Sequence, residues 1–211
     1  MFYKKTNDFE KAYKYIKAAL ELKKEGHMGL GDWYLKCIDY DRKLKEGQIP
    51  NKNFLGEDYN EIKFEYLRKL KVTKALKERY NNIKKLILND HHFADAYLVL
   101  GDILWQTGSL NLALRSYIRA QLLEHPNKAQ VNKRIDAIIH HWKSKPYREN
   151  IIKDIDKIRK QQIDIFSKEL DKARIWLNKF KALEEDLIDK KVKVDLSIVK
   201  KNMRIKPFYP K

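Results

Sequence analysis

Four histidines stand in two adjacent pairs, His91-His92 and His140-His141, and they are the side chains in this sequence best suited to bind a metal ion. Neighbouring residues on a helix point about 100° apart, so each pair offers at most one good ligand to a shared site. The chain has one cysteine, and no HExxH pattern completes a ligand set. We therefore expect no metal site, and we interpret the histidines as surface or cap residues.

The other residue types that support catalysis do not form a recognisable pattern. Glu184-Glu185 lies in a stretch of mixed charge that is typical of a solvated helix face, and no Ser, His and Asp share a local motif. Neither GxGxxG nor GxxxxGK[ST], the glycine-rich loops that hold phosphates, occurs in the chain. Cys37 lies on an apolar helical stripe, where a small core residue fits. The sequence predicts a non-catalytic protein without a cofactor.

The single cysteine excludes an intramolecular disulfide, which fits a reducing compartment. The N-terminal residues MFYKKTNDFEKAYKYIK contain no apolar segment of signal-peptide length. No apolar run reaches the roughly 18 residues that a membrane span requires. We therefore expect a soluble, cytoplasmic protein.

The net charge of the chain is +17, and the excess of Lys and Arg is greater in its C-terminal half. A basic protein attracts nucleic acid, anionic lipid or acidic proteins. Around Trp142 and Tyr147, cations that bind phosphates and rings that stack on bases favour nucleic acid. The same residues fit a solvated helix face equally well, and a compositional bias towards Lys also explains the charge. The candidate anion-binding residues are Lys143, Lys145, Arg148, Lys153, Lys157, Arg159 and Lys160.

Apolar residues recur at steps of three and four through almost the whole chain, which predicts an all-α fold. Asp8 is the expected N-cap of the first helix, and Gly26 is its expected end. The pattern leaves open whether residues 58–89 form one helix or two helices that meet at Val72-Thr73. The predicted helices are 8–25, 28–46, 58–89, 94–107, 109–124 and 128–143, with a loop at 47–58.

Residues 147–190 contain no Gly and no Pro, and their apolar residues recur mostly at steps of four and three. This spacing predicts one long helix, or two stacked helices, with a seam like that of a coiled coil. The seam shifts by one residue at Ile165-Phe166. We expect this segment to cap the preceding helices or to pack on another chain, and we expect an extended basic tail at 191–211.

Residues 94–127 (ADAYLVLGDILWQTGSLNLALRSYIRAQLLEHPN) place large and small residues at fixed intervals. Gly101, Ala113 and Ala120 are small where two helices would cross closely, and Gly108 suits the turn between those helices. This spacing resembles the tetratricopeptide repeat, a helix–turn–helix unit of 34 residues. The large residues that would fill the space between helices are Tyr97, Leu104 and Tyr117. Pro126 would end the second helix.

The start of the chain resembles the second half of the same unit, with Ala12, Ile16 and Ala19 at the matching positions. Residues 27–37 also resemble the related Sel1-like repeats. The middle of the chain fits poorly, because the loop at 47–58 and Arg79 stand where a helix and a small residue are expected. We therefore predict a degenerate repeat array, an α-solenoid, over residues 1–143.

The resemblance implies stacked helix pairs whose first helices line a concave groove that binds a peptide or a helix of a partner protein. Trp105 is either an exposed binding hot spot or a side chain packed against the neighbouring repeat. In the family's carboxylate clamp, Asn stands where this chain has Asp102, which argues against binding of acidic C-terminal peptides. The expected groove residues are Asp95, Leu98, Asp102, Trp105 and Gln106.

The sequence thus predicts a non-catalytic scaffold or adaptor that binds a partner protein. Two alternatives stay open at this point. One is a protein associated with nucleic acid through its basic C-terminal half, and the other is a regulatory dimer that assembles through residues 147–190.

Overall fold

The computed structural model of the chain describes residues 8–25, 29–60, 73–144 and 154–190, which form an all-α structure. The chain divides into two compact units, Met1–Arg159 and Lys160–Lys211. Within the described residues, the β-structure consists of one isolated bridge between Lys52 and Asp58. The helices, numbered here in chain order, are α1 (Phe9–Leu22), α2 (Gly31–Lys45), α3 (Lys74–Asn89), α4 (Ala94–Gln106), α5 (Leu110–Leu122), α6 (Lys128–Lys143) and α7 (Ile155–Asp189).

Polar side chains fix the starts of three of these helices. Asp8, Thr73 and Asn127 each accept a hydrogen bond from the backbone N–H group three residues further on, which satisfies one of the free donors of the first turn. The prediction of an N-cap at Asp8 is thus confirmed. Thr73 begins α3, while Gly26 and the predicted helical residues 61–72 lie outside the described residues.

The unit formed by α4 and α5 has the geometry that its large and small residues predict. Gly108 adopts a left-handed φ of 78° in the turn between the two helices, a conformation that glycine takes without strain. Gly101 faces the ring of Tyr117, and Ala113 and Ala120 are fully buried where α5 packs against its neighbours. The close crossing of α4 and α5 therefore depends on small residues at these positions.

The pair formed by α1 and α2 is also closely packed. Ala12 and Ile16 are buried on α1, as their matching positions predict. Gly31, at the start of α2, lies against the side chain of Leu20 on α1. One apolar core joins α1 to α4 and includes Cys37, which is fully buried in agreement with its predicted role as a small core residue.

The segment between α2 and the end of the described range at residue 60 is an ordered turn. The side-chain oxygen of Asn53 accepts hydrogen bonds from the backbone N–H groups of Leu55 and Glu57, each at 3.0 Å. Gly56 completes the turn with a φ of 88°. The predicted loop at 47–58 is confirmed, and we call residues Asn51–Asn60 the inserted segment.

Arg79, which stands where the repeat pattern expects a small residue, binds the inserted segment. Its guanidinium binds both carboxylate oxygens of Glu57, while the amide of Asn53 donates to the same carboxylate at 2.8 Å. Although burial by itself raises the pKa of Glu57, the hydrogen bonds from Arg79 and Asn53 hold that pKa below its usual value. Arg79 on α3 and the inserted segment after α2 both depart from the repeat pattern. The first thus provides the binding partner of the second.

Residues 155–189 form one continuous helix, α7, where the sequence left one or two helices open. The side chain of Asp154 accepts from the backbone N–H of Lys157 at 3.0 Å and so caps its first turn. Within the second unit, Asp164 and Lys168 form an ion pair one turn apart at 2.7 Å, and such pairs support a solvated helix. The division of the chain at residues 143, 147 and 190 remains a prediction.

Candidate partner-binding groove

The structure places most of the predicted groove residues of α4 in the interior. Asp95, Leu98, Asp102 and Trp105 are each exposed by 4 % or less, and Gln106 is half-buried. For Trp105, this burial favours the alternative in which the ring packs within the chain. Their contact with a partner remains untested, but in this structure the side chains of the chain itself cover them.

The carboxylate of Asp95 lies at the centre of a buried hydrogen-bond cluster. Its Oδ2 accepts the backbone N–H of Phe54 at 2.6 Å, and its Oδ1 accepts the hydroxyl of Tyr59 at 2.7 Å. The Nε2 atom of His125 lies 2.9 Å from the same Oδ1. Two residues of the inserted segment and one residue of the turn after α5 therefore meet on a position that the resemblance assigns to a bound peptide.

The neighbouring groups determine which nitrogen of His125 carries the proton. The backbone N–H of Asn127 donates to Nδ1 at 3.1 Å, so Nδ1 is an acceptor and Nε2–H donates to Asp95. The ring is fully buried and packs edge-on against Tyr59 at a centroid distance of 5.9 Å. His125 is thus a structural residue without access to solvent. Sequence reasoning missed it, because an isolated His in a turn carries no motif.

Two tyrosines extend the cluster from Asp95 to α2. The hydroxyl of Tyr40 lies 2.9 Å from the hydroxyl of Tyr59, which itself donates to Asp95. Burial raises the pKa of both phenols, and the charge of Asp95 raises them further. Both tyrosines therefore stay neutral and act as hydrogen-bonding groups.

Asp102 forms a second buried cluster about two helical turns beyond Asp95. The Nε atom of Arg134 donates to its Oδ1 at 2.8 Å, and the hydroxyl of Tyr117 donates to the same oxygen at 2.8 Å. Burial raises the pKa of Asp102, whereas Arg134 and Tyr117 act in the opposite direction. The position at which the carboxylate clamp has Asn thus holds an acid that binds an arginine of the same chain.

Arg134 connects the two clusters. Its guanidinium also donates to the backbone oxygen of Tyr59 at 3.2 Å and to the side chain of Gln130 at 2.9 Å. Gln130 in turn donates to Asn60 at 2.7 Å. The inserted segment is therefore fastened both to α4 and to α6. On the α4 face where a partner peptide was expected, it bonds to Asp95 directly and reaches Asp102 through Arg134.

An open groove remains on the side of α1 and α2. It encloses about 610 Å³. Its walls are one face of α1, one face of α2 and the residues Pro50–Gly56, and it includes both charged and apolar side chains. The residues that line it are Glu10, Tyr13, Leu35, Lys36, Asp39, Tyr40, Arg42, Lys43, Pro50, Lys52, Asn53, Phe54, Leu55 and Gly56.

Charge is unevenly distributed around this groove. Asp39 binds Lys43 at 2.7 Å and Arg42 at 2.6 Å, and the hydrogen bond from Lys43 contributes most to lowering the pKa of Asp39. Lys36 and Lys52 add exposed cations to the wall. Four cations thus face two acids across the lining, so the groove favours a partner with negative charge.

The predicted anion-binding residues differ in whether the structure describes them, in their ion pairs and in their exposure. Lys145, Arg148 and Lys153 lie outside the described residues. Arg159 binds the carboxylates of Asp136 and Asp156, so much of its charge is already compensated within the chain. The others are Lys143, which is half-buried, and Lys157 and Lys160, which are exposed.

No group of three or more His, Cys, Asp or Glu side chains in the described part of the chain is placed to hold a metal ion. The rings of His91 and His92 lie 4.1 Å apart on the surface at the turn before α4. None of the described helices combines the length and the apolar character that crossing a membrane requires.

The tetratricopeptide repeat family model matches this chain at residues 1–25 and 94–124. These two matches include α1 and the α4–α5 pair, whose small and large residues pack as described above. No curated protein and no solved structure shows a significant match to the chain.

Proposed function

Because two segments of this chain match the tetratricopeptide repeat, we propose that it is a non-catalytic adaptor that holds a peptide or a helix of a partner protein. Repeats of this kind bind proteins along the surfaces that their stacked helices create. We place the partner in the groove between α1, α2 and Pro50–Gly56. The observation that carries this placement is the contrast between the two candidate faces, since four of the five predicted residues on α4 are buried within the chain, whereas α2 lines an open groove.

The lining of the groove supports a peptide partner. A volume of about 610 Å³ lies within the range of roughly 300–1,000 Å³ that is typical of ligand sites. Helix faces form two of its walls, a setting in which peptides dock by placing apolar side chains between the helices. Tyr13 is 41 % exposed at this groove, and a tyrosine in such a position offers a large contact area to a partner.

The groove also carries charge that selects among partners. Lys36 and Lys52 are exposed on different walls, one on α2 and one on the inserted segment. A partner segment with acidic residues on either side of an apolar anchor would match this arrangement. In this proposal Asp95 supports the groove wall through its hydrogen bond to Phe54, and the buried residues Leu98, Asp102 and Trp105 do not line the groove.

Nucleic-acid binding through the basic C-terminal half is the weaker candidate. Among its described residues, Arg159 already binds two carboxylates, which reduces the charge available for phosphates. Counterion release makes nucleic-acid binding fall steeply with salt, whereas an apolar anchor in a groove depends less on salt. Binding that disappears between low and moderate salt and after nuclease treatment would therefore favour the nucleic-acid alternative.

The experiment is an affinity capture of partners from native lysate, split into nuclease-treated and untreated halves, with mass spectrometry of both. Tyr13→Ala and Lys36→Glu change the groove, while Tyr15→Ala and Lys17→Glu are the matched controls on α1 outside its lining. We expect one stoichiometric protein to survive nuclease and the groove variants to weaken it by about tenfold or more, with little effect of the controls. Equal loss in groove and control variants, or loss only after nuclease, would contradict the proposal.

A further inference from the structure

The middle of α7 is surrounded by solvent although it carries large apolar side chains. All nine residues from Asp171 to Lys179 are exposed. Among them, Ile175 is 57 % exposed, Leu177 is 44 % exposed and Trp176 is 37 % exposed. The ring of Trp176 stacks on Phe180 at a centroid distance of 5.5 Å. Large apolar side chains on a helix of 35 residues are typical of a helix that packs against a partner.

The spacing of these side chains identifies the kind of partner. Counted from Ile163, one set of apolar residues on α7 follows steps of three, four, three, four and three, which is the spacing of the a and d positions of a coiled coil. The next apolar residue at an a or d position is Leu187. It is already buried within the single chain, so the open seam ends before it. We call Ile163, Phe166, Leu170, Ala173, Leu177 and Phe180 the open seam; Ala173 and Leu177 are exposed and the other four are half-buried.

We propose that a second copy of this chain packs along the open seam, in parallel and in register, to form a two-stranded coiled coil. In this frame Ile163, Leu170 and Leu177 occupy a positions, and Phe166, Ala173 and Phe180 occupy d positions. Eighteen residues of helix at 1.5 Å per residue give a contact about 27 Å long. The proposal concerns α7 alone and does not depend on the peptide groove.

The residues that flank the seam select the parallel orientation. In a parallel pair, each g position faces the e position of the partner helix five residues further on. This places Glu169 opposite Arg174 of the second copy, an acid beside a base, and Trp176 opposite Lys181, a ring beside a cation. In an antiparallel pair the e positions face each other, which brings Arg174 and Lys181 of the two copies together and is unfavourable.

The first test is the molar mass of the full chain by light scattering or sedimentation over a concentration series. We expect the mass to approach twice 25.3 kDa as concentration rises. Leu177→Asp places a charge in the seam and should weaken association by ~100-fold or more. Ile175→Asp is the matched control, since Ile175 is at least as exposed but lies at an f position outside the seam. Both sites are exposed, so neither variant should alter the helical circular dichroism of a monomer.

The second test reads the orientation directly. In a Cys37→Ala background, Leu170→Cys or Leu177→Cys places a single thiol in the seam. Under oxidation, a parallel pair in register forms a disulfide between identical positions in each variant, because facing a residues lie close together. Lys168→Cys, at an f position, is the control and should not cross-link.

Three outcomes would overturn the proposal. The wild-type chain could stay monomeric at every concentration, or Ile175→Asp could disrupt association as strongly as Leu177→Asp. The third is a cross-link that forms only in an equal mixture of the Phe166→Cys and Leu177→Cys variants, since a positions face d positions in an antiparallel pair. A positive result in both tests would support α7 as a self-association helix whatever the groove binds.

Discussion

Gly101 on α4 and Tyr117 on α5 approach so closely that no side chain fits between them. A Cβ atom added at Gly101 would lie 2.2 Å from Cε1 of the Tyr117 ring. That ring is fully buried, and its hydroxyl donates to Asp102 at 2.8 Å, so it cannot swing away. The close crossing of these two helices therefore requires that residue 101 carries no side chain.

Gly101→Ala should destabilise the protein by about 1–3 kcal/mol, although alanine is the better helix former, because the ring must leave its position. Gly31→Ala is an informative comparison, since its added Cβ would also meet a side-chain carbon, of Leu20, at 2.2 Å. Leu20 is a flexible side chain that is only partly buried, so it can adjust and the cost should be smaller. Urea denaturation of the two variants measures the difference, and equal losses would contradict this account.

Arg134→Met should be among the most damaging single changes in the chain. It leaves Asp102 buried without its cation, a loss that typically costs about 3–5 kcal/mol. Replacing Asp102 by Asn at the same time removes the unpaired charge, so the double variant should be more stable than the sum of the two single changes predicts. A double-mutant cycle from urea denaturation gives this coupling, and strictly additive losses would show that the pair contributes no interaction of its own.

The contact of Glu57 with Arg79 should make stability depend on acid pH. The pKa of Glu57 is lower in the folded protein than its ordinary value of 4.5. A lowered pKa contributes stability that is complete above that value and is lost as pH falls through the folded pKa. Glu57→Gln should therefore flatten the decrease in unfolding free energy between neutral pH and about pH 3.

The expected flattening is modest, because the Glu57 side chain is 41 % exposed and solvent screens the pair. Glu21→Gln, on an exposed part of α1, is the control substitution. An unchanged pH profile in Glu57→Gln would mean that Arg79 does not stabilise the ionised acid.

Tyr59→Phe should loosen the inserted segment without creating a cavity. It removes the hydrogen bond to Asp95 and the contact with the Tyr40 hydroxyl, and we expect a loss of about 1–3 kcal/mol because buried partners remain unsatisfied. Amide hydrogen exchange offers a local readout, since the Phe54 N–H is held by the same carboxylate. This amide should exchange slowly in the wild type and faster in the variant, and fast exchange in both would contradict the buried bond.

The fold of the repeat-like units could be predicted because it depends on local spacing. The cap at Asp8, the turn at Gly108 and the close approach at Gly101 involve residues within one unit, and each follows from residue size or backbone freedom. The filled α4 face could not be predicted. The partners of Asp95 lie 30 to 41 residues away, and no period or motif connects Phe54, Tyr59 and His125 in sequence.

The open groove was missed for a related reason. The segment 47–58 was correctly interpreted as a loop, but nothing in its sequence shows that its residues cover α4 and form a wall beside α2. Polar residues such as Asn53 and Asp95 would ordinarily be placed at the surface, whereas here hydrogen bonds compensate their burial.

The inserted segment changes how the first compact unit, Met1–Arg159, should unfold. In an array of repeats, contacts are mostly between neighbours, so helix pairs at the ends can open one after another. Here Tyr59 bonds to Arg134, 75 residues away, and Asn60 bonds to Gln130, 70 residues away. Such distant contacts raise the contact order of the chain and join its early and late helices into a single cooperative transition. The unit should thus melt in one step, and it should fold more slowly than a regular array of the same length.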